Sequence, residues 1–266
     1  MSPVDFAPTL SKFDKIYTIV SPPRCGSTAF ARVFWEHPSV GYYCHEPFEV
    51  TYYQKDGLEV VDKLLQNPLD LSFLHSKKQH GNGTALVIKE MPYQAGSNFP
   101  LLISWAQKPV IFLIRDPRLN IASRIKKKLE TGDSPKFPLI ETGWELINGQ
   151  IKHCESEGIP FIIVDASEFR NHPAAIFRQV FEQLGLPFSD SMLQWQSCPD
   201  IDLDNLGGNH THLYRRVLLS EGIQPATENI QAIEDFPEEY GIREHLKECM
   251  DIYQTLLQHS NRIQVQ

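Results

Sequence analysis

The chain has 266 residues, 41% hydrophobic and 22% charged, and its 25 basic and 33 acidic side chains give a net charge of −8. That balance suits a globular protein with a sizeable core and argues against a surface built for nucleic acid or other polyanions. No run reaches membrane-spanning length, MSPVDFAPTLSKFDK lacks an apolar signal core, and the five cysteines form no C-x-x-C pair, so reduced thiols in a cytoplasmic, membrane-free protein are expected.

Residues 1–14 read as an N-terminal extension. Five short runs rich in Ile, Val and Phe follow: KIYTIV ending at Val20, SVGYYC at Cys44, TALVIK at Lys89, PVIFLI at Ile114 and PFIIVD at Asp165. Runs that are apolar throughout suit strands covered on both faces. Between them lie helical patterns over residues 28–36, 57–66, 99–107, 119–130 and 141–155. This alternation predicts an α/β fold, a doubly wound and mostly parallel sheet over residues 15–165, with ligands outside the carboxyl ends of its strands. Residues 166–266 read as mostly helical. There Ile242, Leu246, Cys249, Tyr253 and Leu256 keep the spacing of an amphipathic helix. No linker or repeat divides the chain, so a single domain over 1–266 is expected.

The strand ends carry the polar motifs. Strand one runs through SPPRCGST into a helix, a P-loop-like strand, turn and helix in which backbone N–H groups and the positive helix end can cradle an anion. The hydrolase signature G-x-x-x-x-G-K-[ST] is missing, because Arg24 precedes Gly26 while Ser27 and Thr28 follow without a Lys. The second run ends in HEPF, residues 45–48, the third in Lys89-Glu90-Met91-Pro92, and the fourth in RDPRLNIASR, residues 115–124. In that last motif Arg115 offers a planar fork of donors, and Ser123, eight residues on, a hydroxyl. Such a pair suits a terminal phosphate, although a salt-bridged strand end and a surface serine would look the same.

P-R-x-G-[ST]-T after strand one, with R-x-P-x-x-x-x-x-S after a later strand, resembles the sulfotransferase family, whose donor is 3′-phosphoadenosine 5′-phosphosulfate (PAPS). The resemblance implies that Arg24, Cys25, Gly26, Ser27 and Thr28 hold the 5′-phosphosulfate and that Arg115 and Ser123 hold the 3′-phosphate. Cys25 departs from the family's usual Ser, which removes one side-chain contact but leaves the backbone cradle. The implied reaction passes a sulfuryl group to the hydroxyl of a small-molecule acceptor and releases 3′,5′-ADP. It needs no metal, since Arg24 and the helix end can stabilise the departing oxygen.

An attacking hydroxyl also needs a base. His45 titrates near neutrality, and Glu46 can serve if burial raises its pKa. Family members use His in some branches and Glu in others; bacterial and carbohydrate-acting relatives tend to carry a Glu before Pro, which favours Glu46. Side chains of adjacent residues on an extended strand point opposite ways, so only one is expected to face the donor. Lys89 can stabilise charge on the sulfuryl group or simply pair with an acid. Lys126, Lys127 and Lys128 read as a solvated helix face, or as a source of one cation near the donor. Trp144, spaced with Ile140 and Ile147, reads as core packing or a pocket wall. GGNHTHLYRR, residues 207–216, can fold over the nucleotide, with His210 and His212 a metal pair that nothing else in the sequence supports. Two other readings remain at this level. Asp116 could hold Mg²⁺ in a nucleotide phosphotransferase, against which the missing loop Lys counts. The protein could also bind nucleotide without turnover, against which the joint presence of His45, Glu46 and Lys89 counts.

Overall fold

The structure is a computed structural model that describes residues 4–130, 132, 134–207, 211–227 and 229–265, without side chains at 79, 80 and 211–213. Among them, six strands form one sheet: β1 (Ile16–Val20), β2 (Val40–His45), β3 (Leu69–Asp70), β4 (Ala85–Glu90), β5 (Val110–Ile114) and β6 (Phe161–Asp165). Their spatial order is β3-β2-β4-β1-β5-β6. Every neighbouring pair is parallel except β2 with β3. The five apolar runs are the five parallel strands. The two-residue β3 has no apolar run to announce it and exists through its antiparallel pairing with Tyr42 and Tyr43.

The helices are α1 (Ala7–Leu10), α2 (Ser27–Trp35), α3 (Glu49–Tyr53), α4 (Leu58–Gln66), α5 (His75–His80), α6 (Pro92–Ala95) and α7 (Phe99–Trp105). After β5 come α8 (Pro117–Glu130), α9 (Trp144–Ser156), α10 (Ala166–Asn171), α11 (Pro173–Gln183), α12 (Thr211–Leu218) and α13 (Ile242–Leu257). Alternate strand residues feed two apolar layers, as a pleated strand requires. Ile16, Val20, Leu86, Ile88, Phe112 and Ile163 face α4, α7, α9 and α13. Tyr17, Ile19, Val87, Ile111, Leu113 and Val164 face α2, α10, α11 and α12. This two-sided cover is why the strands read as unbroken apolar runs.

The connection after β1 crosses β4 to reach β2, whereas the connection after β4 crosses β1 to reach β5. The winding therefore reverses beside β1, where an open α/β sheet leaves a crevice at its carboxyl edge. Strand register brings the motifs level there, pairing Val20 with Glu90 and His45 with Lys89.

The predicted helix over residues 141–155 starts at Trp144, after a 3₁₀ turn, Leu139–Thr142. Gly143 breaks the two apart at φ 79°, and a Cβ there would sit 3.4 Å from the Pro22 Cα. That contact is ordinary, so it is the left-handed backbone that favours glycine here. Trp144 is fully buried, its ring edge-on to Tyr253 at 5.8 Å, so it packs the core and lines no cleft. No described helix is long and apolar enough to cross a membrane.

Candidate active site

A cleft of about 1380 Å³ opens at the crevice beside β1, and Arg24, Ser27, Glu46, Lys89, Arg115 and Ser123 all line it. Four separate strand ends supply them. Among the described residues, ten basic and five acidic side chains line the cleft, in a chain whose net charge is −8. Its positive lining is thus local and concentrated.

The turn from β1 into α2 is shaped by two residues of positive φ, Arg24 at 63° and Gly26 at 77°. Gly26 begins α2 without any side-chain cap, so the first N–H groups of the helix are left for another acceptor. Arg115 Nη1 donates to the Arg24 carbonyl at 2.6 Å, and Arg24 Nε donates to Ser123 Oγ at 3.2 Å. Arg24 is thereby joined to two residues 91 and 99 positions away, and the three close into one cluster. Burial and the neighbouring Arg115 guanidinium both lower the Arg24 pKa. Two crowded guanidinium groups beside an open helix N-terminus describe an anion site.

Cys25 behaves differently from its neighbours. Its side chain is fully buried in the layer beneath α2, and burial pushes its thiol up to about 11. Only its backbone is left to face the turn's anion-binding side.

Glu46 and Lys89 are fully buried beside each other, and Lys89 Nζ donates to Glu46 Oε1. Gln94 Nε2 donates to the other carboxylate oxygen at 3.0 Å, and the Gln94 Oε1 has no partner. Burial alone pushes the Glu46 carboxyl up, but the Lys89 ammonium, His45 and their hydrogen bonds prevail and hold it well below the usual carboxylate range. His45 packs edge-on against Tyr214 at 4.5 Å and shares a hydrogen bond with the Tyr43 hydroxyl. Burial lowers its pKa, outweighing the opposite pull of Glu46. His45 does not line the cleft, whereas Glu46 does.

The expectation that these two side chains point apart fails. Glu46 stands at φ 47°, so the chain is no longer extended there, and its Oε1 turns back to 3.2 Å from His45 Nε2. Asn205 Nδ2 holds this turn from outside, donating to the His45 carbonyl at 2.6 Å and the Glu46 carbonyl at 3.3 Å. Neither Gln94 nor Asn205 is announced by its sequence context, though Gln94 lies in α6, which directly follows the strand that carries Lys89.

Asp116 is already engaged. It forms a two-pronged pair with Arg118 and caps the start of α8, and it does not line the cleft. Lys126, Lys127 and Lys128 all line the outer cleft, Lys126 with 78% of its side chain exposed. The exposure of Lys126 agrees with the reading of a solvated helix face. His210 and the His212 side chain lie outside the described residues. Beyond Lys89 the cleft continues along Met91, Tyr53 and Tyr93, the two tyrosine hydroxyls 3.2 Å apart.

The family model described as "Sulfotransferase domain" matches residues 15–235. Among solved structures, the sulfotransferase domain of the Synechococcus PCC 7002 olefin synthase aligns with a TM-score of 0.52 at 13% identity, covering 96% of this chain and 98% of that one. The sulfotransferase domain from the curacin biosynthetic pathway aligns at 0.47 and 18% identity, over 90% and 98% of the two chains. Mouse sulfotransferase SULT7A1, complexed with PAP, aligns at 0.45 and 13% identity, over 98% and 91%. No curated protein matches the chain significantly by sequence.

Proposed function

Because the chain belongs to the sulfotransferase family through the domain spanning residues 15–235, we propose that it transfers a sulfuryl group from PAPS to the hydroxyl of a small-molecule acceptor. The observation that carries this reading is the Arg24, Arg115 and Ser123 cluster at the uncapped start of α2. Arg24 and the backbone N–H groups of Cys25 to Thr28 take the 5′-phosphosulfate. Arg115 and Ser123 take the 3′-phosphate. A volume of about 1380 Å³ exceeds the roughly 300–1,000 Å³ of a single-ligand pocket, which supports donor and acceptor lying side by side.

Glu46 is the base in this mechanism, with His45 supporting it from behind. Lys89 pairs with Glu46, which favours the ionised carboxylate. When donor fills the cleft, Lys89 exchanges this partner for the sulfuryl and bridging oxygens. Burial then dominates at Glu46 and raises its proton affinity as the acceptor hydroxyl arrives. The acceptor oxygen forms its bond to sulfur, the bond from sulfur to the phosphate oxygen breaks, and Glu46 takes the proton. Arg24 and the helix end stabilise the departing oxygen of 3′,5′-ADP without a metal. The five free, buried cysteines support a reducing, cytoplasmic setting.

Calorimetry with 3′,5′-ADP and 5′-AMP tests the donor. The 3′-phosphate should tighten binding by at least tenfold, and equal affinities would remove the PAPS assignment. An acceptor screen with labelled PAPS, read by mass spectrometry, then identifies the hydroxyl.

A further inference from the structure

Away from the cleft, the first turns of α9 and α13 meet over a second polar cluster. His245 is only 6% exposed. Its Nε2 lies 2.7 Å from the Thr142 hydroxyl, which in turn lies 2.8 Å from the Leu139 carbonyl. The hydroxyl has one proton, so both bonds form only if Thr142 donates to the carbonyl and the imidazole donates from Nε2. The Cys249 sulfur, at 3.3 Å, lies on the same Nε2 side.

That tautomer leaves Nδ1 as a bare lone pair, and it does not point at a donor. Glu248 Oε2 stands 3.9 Å from it, beyond hydrogen-bond length. Glu145 completes the group, and one ligand atom from each of Glu145, His245 and Glu248 falls within 4.8 Å of the others. With that tautomer the imidazole and the two carboxylates gather only electron-pair donors, and a cation among them turns the repulsion into attraction. The Thr142 contact matches the outer hydrogen bond that fixes the ring of a metal-bound histidine.

We propose that His245 Nδ1 and the carboxylates of Glu145 and Glu248 bind a divalent transition-metal ion of the zinc class, with water in the remaining position. One imidazole and two carboxylates form a tetrahedral zinc set with bond lengths of about 2.0–2.2 Å, and the exposed glutamates can close in by rotamer changes. An imidazole ligand selects such ions over Mg²⁺ and Ca²⁺. The two carboxylates balance the ion's charge. The ion ties α9 to α13 beside Thr142, whose neighbour Glu141 pairs with Arg124 in the cleft wall. Its effect is therefore on stability and takes no part in sulfuryl transfer.

The test uses the full chain, stripped with chelator and titrated with ZnCl₂ or MgCl₂ by calorimetry and thermal melting. The expected result is one Zn²⁺ per chain with a raised Tm, no response to Mg²⁺, and at least tenfold weaker Zn²⁺ binding in both Glu145→Gln and Glu248→Gln. Both substitutions are at exposed positions, so the fold is retained. No zinc uptake, or uptake that both variants leave unchanged, overturns the proposal. Neither readout depends on donor or turnover, so the outcome is separate from that of the sulfuryl-transfer reading.

Discussion

Glu46 occupies a left-handed backbone conformation at φ 47°, which costs a non-glycine residue on the order of 1–3 kcal/mol. Asn205, Lys89 and Gln94 offset that cost by holding its carbonyl and both carboxylate oxygens. Glu46→Gln keeps the shape and removes the proposed base. Turnover should fall by about 10² to 10⁴, with 3′,5′-ADP affinity nearly unchanged, while His45→Asn should lose much less. The reverse order assigns the base to His45, and a loss under tenfold in both removes it from β2. The charge also sets a pH dependence. A carboxyl whose folded pKa is depressed contributes stability that is complete above its unfolded value, about 4.3, and is lost as pH falls through the folded one. Thermal melts below about pH 4.3 should therefore slope less steeply for Glu46→Gln than for the native chain.

The turn between β1 and α2 is shaped from outside itself. Arg115, at the end of β5, grips the Arg24 carbonyl, so one side chain both contributes a cation and holds the loop's left-handed residue. Arg115→Ala should weaken 3′,5′-ADP binding by roughly 2–5 kcal/mol, the scale for losing one partner of a desolvated charge pair, as measured by calorimetry. Gly26→Ala isolates the backbone contribution. A Cβ there meets only Phe169, at an ordinary 3.5 Å, so the loss comes from φ 77° and should be about 1 kcal/mol in a denaturant melt. A much larger loss would mean that the turn has no room to relax.

At the scale of the molecule, an acidic chain carries a basic cleft. Charges of one sign in a concave site focus potential on an incoming anion. Salt screens that field, so the KM for PAPS should rise several-fold between low and physiological ionic strength. A KM independent of salt would leave the cleft's excess charge without a role in capture. On the proposed mechanism turnover should persist in excess chelator, since Asp116 is committed to Arg118 and the α8 cap and the proposed charge stabilisation comes from Arg24, Lys89 and the helix end.

By itself the sequence determined the five parallel strands, the longer helices between them and the motifs at their ends, because apolar periodicity and turn chemistry are local properties; the short α3, α5 and α6 carry too few turns to show a period. That Arg24, Arg115 and Ser123 would meet was legible for the same reason: each stands at or just after a strand end that parallel winding must bring to one edge. The tertiary structure alone decided how the side chains meet. It turned Glu46 back onto His45, because a positive φ at that position is held by Asn205 some 160 residues away. It sent the Cys25 side chain into the core and brought Gln94 to the Glu46 carboxylate. It also set Glu145 beside His245 and Glu248 across two helices, a proximity created by packing that no spacing in the chain encodes.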